Sequence, residues 1–456
     1  MTTATASPTP TGVATGTTAQ DAPGEAAGRP SLATAWWMVG ALFLIYVFAW
    51  LDRLTVSMLV PPIKQQMALT DFQMSLILGP AFALSYAVFA IPLGWAADRF
   101  PRRIVIFCGV GIWAMATLAC GFAATFGELM AARVIVGIGE AALLPAAYSM
   151  IGDAFPRDKV TVATSVFQAA GKTGSAAAFG LGGFAIAFAK SLDHIDWPFH
   201  GPAHYWQITF ALIGIPGFLL MFLALSFPEP PRRDAGRQEA VAKGTLRAFL
   251  KQHAVLLSAA TFAFSCLAVV GYSLTSWVPA YMDRHFGWEP ARYGVALSAM
   301  NIFGALALVV CGRVVDRLFA RGMRDAHLRF YTWTIVALSP AIIYAFLATN
   351  PYVFLACYAL IQLITVPFIV YGSAIIALLA PAGLRGQLLG MLMFVFNIVG
   401  FGAGPAIVGA ITTYVFHNEA MVGQSLAIVV IGGAGLALVA MRAVLPRLDA
   451  AIAARD

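Results

Sequence analysis

The sequence predicts an all-α integral membrane protein, with twelve transmembrane helices arranged as two pseudo-symmetric halves of six. Three observations carry that expectation: a composition too apolar for a soluble globule, apolar runs recurring at membrane-spanning length, and short motifs that repeat between the two halves. Of 456 residues, 60% are hydrophobic and only 11% are charged, whereas soluble domains carry roughly 25% charged residues. Most of the surface must therefore face lipid. The net charge of +7 does not point to nucleic acid, because the basic residues fall in short clusters between apolar spans with no interleaved aromatic stripe.

Residues 1–33 are rich in Thr, Ala, Pro and Gly, hold one basic residue, Arg29, and contain no short apolar core before a cleavage site. They read as a disordered cytoplasmic tail rather than a signal peptide. Apolar stretches long enough to cross a hydrocarbon core as a helix, about 20 residues, then recur at 35–60, 72–97, 103–124, 127–151, 160–189 and 205–227. A second set follows at 254–282, 290–315, 329–348, 352–379, 385–415 and 421–445. The longest interruption, FPEPPRRDAGRQEAVAKGTLRAFLKQ, mixes Pro, Gly and charge and reads as a solvated linker with room for a short surface helix. It divides the chain into an N-terminal half at 34–227, a linker at 228–252, a C-terminal half at 253–446 and a short cytoplasmic tail at 447–456.

Lys and Arg in alternate loops set the orientation. The tails, the linker and the even-numbered loops hold twenty-one of them; the opposite loops hold Lys64, Lys190, Arg284 and Arg292. This asymmetry predicts cytoplasmic termini in a plasma (inner) membrane protein. Cys108, Cys120, Cys266, Cys311 and Cys357 lie within or at the edges of spans without metal-ligand spacing, so they read as small core residues and no metal or other cofactor is expected.

Three basic residues, Arg53, Arg133 and Lys172, fall inside spans and need an explanation other than topology. So do the carboxylates Asp52 and Glu140. Ionisable groups at membrane depth are expensive and usually mark a pathway for ions or solutes. Arg133 and Glu140 are seven residues apart, hence two turns apart on one helical face, and both are expected to look into one cavity. The Arg133 guanidinium offers a planar fork of donors to a carboxylate or phosphate, for which Glu140 competes. Protonation of Glu140 would release Arg133 to an anionic substrate, and deprotonation would draw it back; Asp52 is the second candidate for the proton site. Arg53 is, with Arg133, a candidate substrate contact; adjacent residues point about 100° apart, so only one of Asp52 and Arg53 is expected to face the cavity centrally, and the pair lies near the outer end where Arg53 can instead snorkel.

Lys172 lies in a GKT tripeptide, but Val166 stands where a phosphate-binding loop needs its first Gly, and no strand precedes it, which excludes an ATP site of that kind. With Gln168 one turn away, it is a candidate substrate contact. Tyr86, Tyr272, Trp277, Asn301, Gln362, Tyr371 and Asn397 are polar or aromatic candidates for lining the cavity, although Tyr and Trp in spans are more often packing or interfacial residues.

The halves echo one another. GWAADRFPRR after the second span matches GRVVDRLFARGMR after the eighth, aligning Gly94, Asp98 and Arg99 with Gly312, Asp316 and Arg317. Gly174 and Gly183 of the fifth span stand at the same separation as Gly400 and Gly409 of the eleventh. Repeated halves around a central cavity are the architecture of many secondary transporters.

With these residues in view, the chain resembles the major facilitator superfamily over about residues 35–445, chiefly through GWAADRFPRR and its weaker copy; Pro101 departs from the Gly often found in that signature. The run LDRLTVSMLVPPIKQQMALTDFQMSLILGPAFALSYAVFAIPLGWAADRFPRR, followed by ARVIVGIGEAALLPAAYSMIGDAFP, is similar to the Spinster-like transporters. The anion:cation symporters of organic acids share the Asp-Arg of the first span and the Arg…Gly-x-Gly-Glu-Ala of the fourth. The unbroken match through the second span and Gly182-Gly183 lean toward the Spinster-like family.

The resemblance implies a major facilitator fold and secondary active transport by alternating access. The cargo would be an organic anion, such as a lysolipid-like amphiphile as in Spinster-like relatives, moved with proton coupling; the alternatives are proton symport of a small organic acid and an uncoupled uniporter. The signature residues Gly94, Asp98, Arg99, Arg102 and Arg103, their counterparts Asp316 and Arg317, and Asp153 and Arg157 are expected to form a conformational latch. Protons and membrane lipid are the other expected partners, and no oligomer interface is legible, so a monomer is expected. The seven His lie in loops or at span edges, and neither HExxH nor GxSxG occurs, so nothing points to a membrane-embedded enzyme.

Overall fold

The computed structural model of the protein describes residues 30–192, 196–197, 201–232, 243–323 and 325–453. Eleven helical segments among them are long and apolar enough to cross a membrane. In chain order these are the first span Leu32–Met58, the second Asp71–Arg99, the third Arg102–Phe122, the fourth Phe126–Ala154 and the sixth Tyr205–Leu225. The seventh is Ala254–Phe286, the eighth Pro290–Ala320, the ninth Ala326–Ala345, the tenth Pro351–Ile376, the eleventh Leu384–Val415 and the twelfth Glu419–Leu448. The fifth crossing is the 35-residue helix Arg157–Ser191, whose Gln168, Lys172 and many small polar residues dilute its apolar character. The twelve-helix, two-half architecture read from the sequence is therefore the one observed.

Several starts are written locally. Thr70 and Gln73 form a capping box at the head of the second span, as do Thr125 and Glu128 at the fourth; each satisfies backbone donors that a helix start leaves unpaired. Pro101, the departure from the family signature, caps the third span, and its carbonyl accepts from Ile104 and Val105. A proline serves this turn because no N–H is needed at the start of a helix.

Other features depart from the sequence reading. The last helix runs Val422–Ala453, so 447–453 is helix rather than tail, because its Ala, Leu and Arg residues are good helix formers. A two-residue ribbon, Asp196–Trp197 paired with Gly201–Pro202, joins the fifth and sixth spans. Lys243–Gln252 forms the short linker helix; residues 1–29 of the expected tail and 233–242 of the linker lie outside the described residues. Several spans are also interrupted, the tenth among them at Val366 and Pro367. Leu59 separates the first span from a short helix, Val60–Met67; Gly79 breaks the second; Ala141 and Ala142 turn the fourth directly after Glu140; and the eleventh contains the π-helical stretches Phe396–Ala403 and Ile411–Val415.

The repeated glycines explain how the halves join. A Cβ on Gly174 would lie 2.8 Å from the Val47 carbonyl of the first span, and one on Gly183 would lie 2.6 Å from the Pro290 carbonyl of the eighth. Their counterparts behave alike: a Cβ on Gly400 would meet Ala268 of the seventh span at 2.7 Å, and one on Gly409 the Asp71 carbonyl at 2.6 Å. Each glycine permits a backbone approach that a side chain would block. Thus the fifth span packs on the first within its own half and on the eighth across the divide, while the eleventh packs on the seventh and the second.

These cross-half contacts gather at the face opposite the linker. There Phe72 N donates to Thr413 Oγ1 at 3.0 Å and Tyr293 Oη to the Met58 carbonyl at 3.4 Å. On the linker face, by contrast, Asp98, Arg99, Asp316 and Arg317 are exposed.

Candidate functional site

Glu140 is placed by the glycines preceding it. A Cβ on Gly137 would lie 2.8 Å from the Phe82 carbonyl of the second span, and one on Gly139 would lie 2.6 Å from Trp113 N of the third. The fourth span is thereby drawn against both neighbours, and its α-helix ends at Glu140. The carboxylate, 3% exposed, receives a hydrogen bond and ion pair from Arg53 Nη2 of the first span. Arg133 Nη1 instead faces Asp52 Oδ2 at 3.7 Å, beside Thr117 and Cys120 of the third span.

The pairing expected from the sequence is therefore corrected. Arg133 and Glu140 are not partners; the two Asp-Arg residues of the first span cross over to the two charges of the fourth. The helical-face argument for Arg133 and Glu140 considered one helix alone, but adjacent Asp52 and Arg53 diverge by about 100° and reach the two turns of the fourth span separately. Nor does Arg53 snorkel at the outer end. Arg133 is fully buried, so Arg53 is the more accessible guanidinium.

Arg53 also sits within a ring of aromatic side chains. Its guanidinium carbon lies 4.2 Å from the centre of Phe82, 4.8 Å from Trp50, 5.6 Å from Phe401 and 5.8 Å from Tyr86, within the range of cation–π attraction. Phe401 comes from the C-terminal half, where it packs edge-on to Tyr272 at 5.1 Å. The cage therefore straddles both halves. Asp52 Oδ1 and Oδ2, Arg53 Nε, Arg133 Nε and Nη1, and Glu140 Oε1 are buried without a hydrogen-bond partner. Unpaired polar groups in a low-dielectric interior are costly, so the cluster holds unused capacity for a proton or an anion.

Tyr86 and Tyr272 thus join the site that the sequence proposed for them. Asn301 instead donates to the Leu297 carbonyl and Asn397 to the Met393 carbonyl, each at 2.9 Å within its own helix, whereas Gln362 accepts from Thr365 at 3.1 Å. Tyr371 packs against Tyr331 and His327 in the C-terminal half. These four are not brought to Arg53. Gln168 is exposed and Lys172 half-buried, with no hydrogen bond or ion pair among the described residues; Lys172 lies seven and eleven residues before Phe179 and Gly183, on the stripe that meets the eighth span. Trp277 donates to the Pro405 carbonyl at 3.0 Å and is a packing residue.

The expected latch divides in two. Asp98 is exposed without an ion pair among the described residues, and Arg99 lies over Trp95 at 4.2 Å. Arg102 is instead buried and bridges Asp153, Ser149 Oγ at 2.9 Å, Glu229 Oε1 at 2.8 Å and the Pro230 carbonyl at 2.6 Å. Glu229 also accepts from the backbone N–H groups of Arg102 and Arg103 at 3.1 and 3.0 Å, capping the third span. Arg102 and Asp153 therefore bind the linker's first residues to their own half rather than to the other one. The side chain of Arg157 lies outside the described residues.

Sequence reasoning missed a second charged cluster, on the face opposite the linker. Arg284 of the seventh span makes a two-pronged contact to Asp71 of the second, at 2.8 and 2.9 Å. Lys64 Nζ reaches Asp71 at 2.6 Å and Glu419 at 2.5 Å. Lys64 and Arg284 looked like loop charges that only set topology, yet they tie the halves together beneath a bowl of about 740 Å³. The seven-residue interval between Lys64 and Asp71 was the available signal, but the chain folds back between them, so helical spacing did not reveal it.

The model of the Major Facilitator Superfamily matches residues 42–324. Among curated relatives, an MFS-type efflux pump of Mycolicibacterium smegmatis is 29% identical over 83% of this chain and 84% of its own length. The spinster protein of Drosophila melanogaster is 25% identical over 60% of this chain, and human spinster homolog 1 is 30% identical over 54%; the matches span 43% and 46% of those proteins. A hexuronate transporter of Bacillus subtilis is 27% identical over 63% of this chain and 66% of its own length. A solved bacterial homolog of the human lysosomal transporter spinster, in an inward-facing and unoccupied conformation, superimposes with a TM-score of 0.78 at 22% identity, covering 91% of this chain and 99% of that one. The resemblance to Spinster-like transporters drawn from the sequence motifs is thereby supported, and the chain belongs to the Major Facilitator Superfamily.

Proposed function

We propose that the protein is a proton-coupled secondary transporter of an amphiphilic organic anion, captured closed at the face opposite the linker and accessible from the linker face. The observation that carries this reading is Arg53, held by Glu140 within aromatic side chains from both halves. When Glu140 is charged it occupies the guanidinium. Protonation removes that claim, and Arg53 is free to take a carboxylate or phosphate head group in a charge-assisted, two-pronged contact. Substrate release and deprotonation of Glu140 restore the pair, and the halves rock about this midplane site.

Aromatic walls favour an amphiphile over a small hydrophilic acid. A separate, mostly apolar cavity of about 530 Å³ along the seventh and eleventh spans, lined by Leu257, Thr261, Ser265, Met391 and Leu392 among others, is the place this reading gives to a hydrocarbon tail. Spinster relatives, one of them a sphingosine-1-phosphate transporter of Danio rerio, support the same choice. The hexuronate transporter supports the alternative, symport of a small organic acid. A cytoplasmic linker face, as the basic-residue count predicts, would make the present state inward-facing.

The test uses purified protein in liposomes, with a labelled lysophospholipid and a labelled hexuronate as separate probes and an imposed pH gradient. Lysophospholipid accumulation that follows the gradient is expected, and Glu140→Gln is expected to abolish the response while leaving exchange down a concentration gradient. Accumulation of hexuronate alone would support the small-acid reading. A pH response undiminished in Glu140→Gln would remove Glu140 as the proton site.

A further inference from the structure

Phe401 is the point at which the charged cluster of the N-terminal half touches the C-terminal half. Its ring, 2% exposed, lies 5.6 Å from the Arg53 guanidinium carbon and edge-on to Phe82 at 5.4 Å, with Tyr272 behind it at 5.1 Å. Its backbone is equally close to the other half: a Cβ on Gly79 would sit 2.6 Å from the Phe401 carbonyl and 3.0 Å from that of Gly402. Phe401 also belongs to the π-helical stretch Phe396–Ala403, a geometry that often marks functional positions. Ring, backbone and helix irregularity thus coincide at one residue.

We propose that Phe401 is a positioning residue that carries the state of the Arg53–Glu140 pair to the interface between the halves. This rests on the coupling role assigned above to Glu140. With Glu140 charged, Arg53 is held beside the Phe401 ring, and the attraction adds to the contacts that close the face opposite the linker. With Glu140 protonated, Arg53 leaves the ring and that contribution is lost. The other ionisable groups around the pair are Asp52, Arg133, Tyr46, Tyr86, Tyr148 and Tyr272. Phenols ordinarily titrate near pH 10, which makes Asp52 the competing proton site to be tested.

The experiment measures spin-label distances between Gln65 and Ala420, exposed positions in opposite halves on the face away from the linker. Exposed Cys108 is replaced first, and each protein is read at pH 8 and pH 5 without any ligand. The wild type is expected to lengthen its distance at pH 5. Phe401→Leu is expected to be longer already at pH 8, by about a tenfold change in the open-to-closed ratio, the scale of a desolvated cation–π contact, and to respond less to pH. Phe401→Tyr keeps the ring face and is expected to behave as wild type, which separates this role from a folding defect. Adding Phe401→Leu to Glu140→Gln is expected to change nothing beyond Glu140→Gln alone, since both act through one contact.

Wild-type behaviour of Phe401→Leu beside a Glu140→Gln that has lost its pH response overturns the role of Phe401 and leaves the coupling reading standing. An intact pH response in Glu140→Gln, or one lost only in Asp52→Asn, overturns the coupling reading and the inference with it.

Discussion

Arg53 and Arg133 are both guanidiniums in the membrane interior, but their surroundings give them different work. Arg53 has one firm partner, a ring of aromatic faces and an unpaired Nε, the setting on which its proposed exchange of one anion for another rests. Arg133 faces buried Asp52 in a sealed pocket. Arg133→Met is therefore expected to lower the folded protein's stability by about 3–5 kcal/mol, the scale of stranding a buried charge, read as a drop in the unfolding temperature in detergent. Arg53→Lys is expected to fold normally and to weaken binding of a labelled lysophospholipid by about tenfold, because an ammonium cannot reproduce the planar two-pronged contact. Equal destabilisation by the two changes would refute the division.

Among the elements, the fourth span shows how local sequence positions a charge. Gly137 and Gly139 admit the second and third spans to van der Waals distance, and the helix breaks once Glu140 has been delivered. Gly139→Ala would press a methyl group to 2.6 Å from Trp113 N and 2.7 Å from the Gly109 carbonyl. Backbone must move, so a loss of about 1–3 kcal/mol is expected, together with impaired pH-driven transport; a stable, fully active variant would show that the close packing is dispensable. The second and third spans are held by another device, the segment Glu229–Arg232. Glu229 caps the third span while Arg232 donates to the Ala97 and Phe100 carbonyls at the end of the second. Arg102→Ala would strand Asp153 and Glu229, both partly solvated, and a loss of about 2 kcal/mol is expected, seen as earlier thermal unfolding without a change in the pH at which transport responds.

At the scale of the whole molecule, the halves meet through Asp71–Arg284, the glycine contacts of the fifth and eleventh spans, and Phe401. In this structure these contacts hold the two halves together. Asp71→Asn removes the charge that Arg284 and Lys64 share, and Gly79→Ala inserts a methyl group against the Phe401 carbonyl; both are expected to favour the open state. The readout is labelling of a cysteine placed at Thr413 by a membrane-impermeant thiol reagent, expected to quicken about fivefold or more in either variant, since a lost charge-assisted contact shifts a two-state balance by about 1 kcal/mol or more. Unchanged labelling in both would mean that these contacts do not gate that face.

The placement of apolar runs along the chain was enough to put it in a membrane as twelve helices, because lipid forces every backbone group into internal hydrogen bonds and leaves a hydropathy signal about 20 residues long; composition alone would not separate the diluted fifth span. The internal repeat, the intramembrane charges and the family resemblance were legible for similar reasons: each is a pattern within one segment or between two strings. The partners of Arg53, the aromatic cage, Phe401 and the Asp71–Arg284 tie were not. They depend on which helices touch and at what depth, and the glycines that permit those contacts do not name the side chains they bring together. A single helix places Arg133 and Glu140 on one face; only the packed bundle decides that each charge answers to the first span.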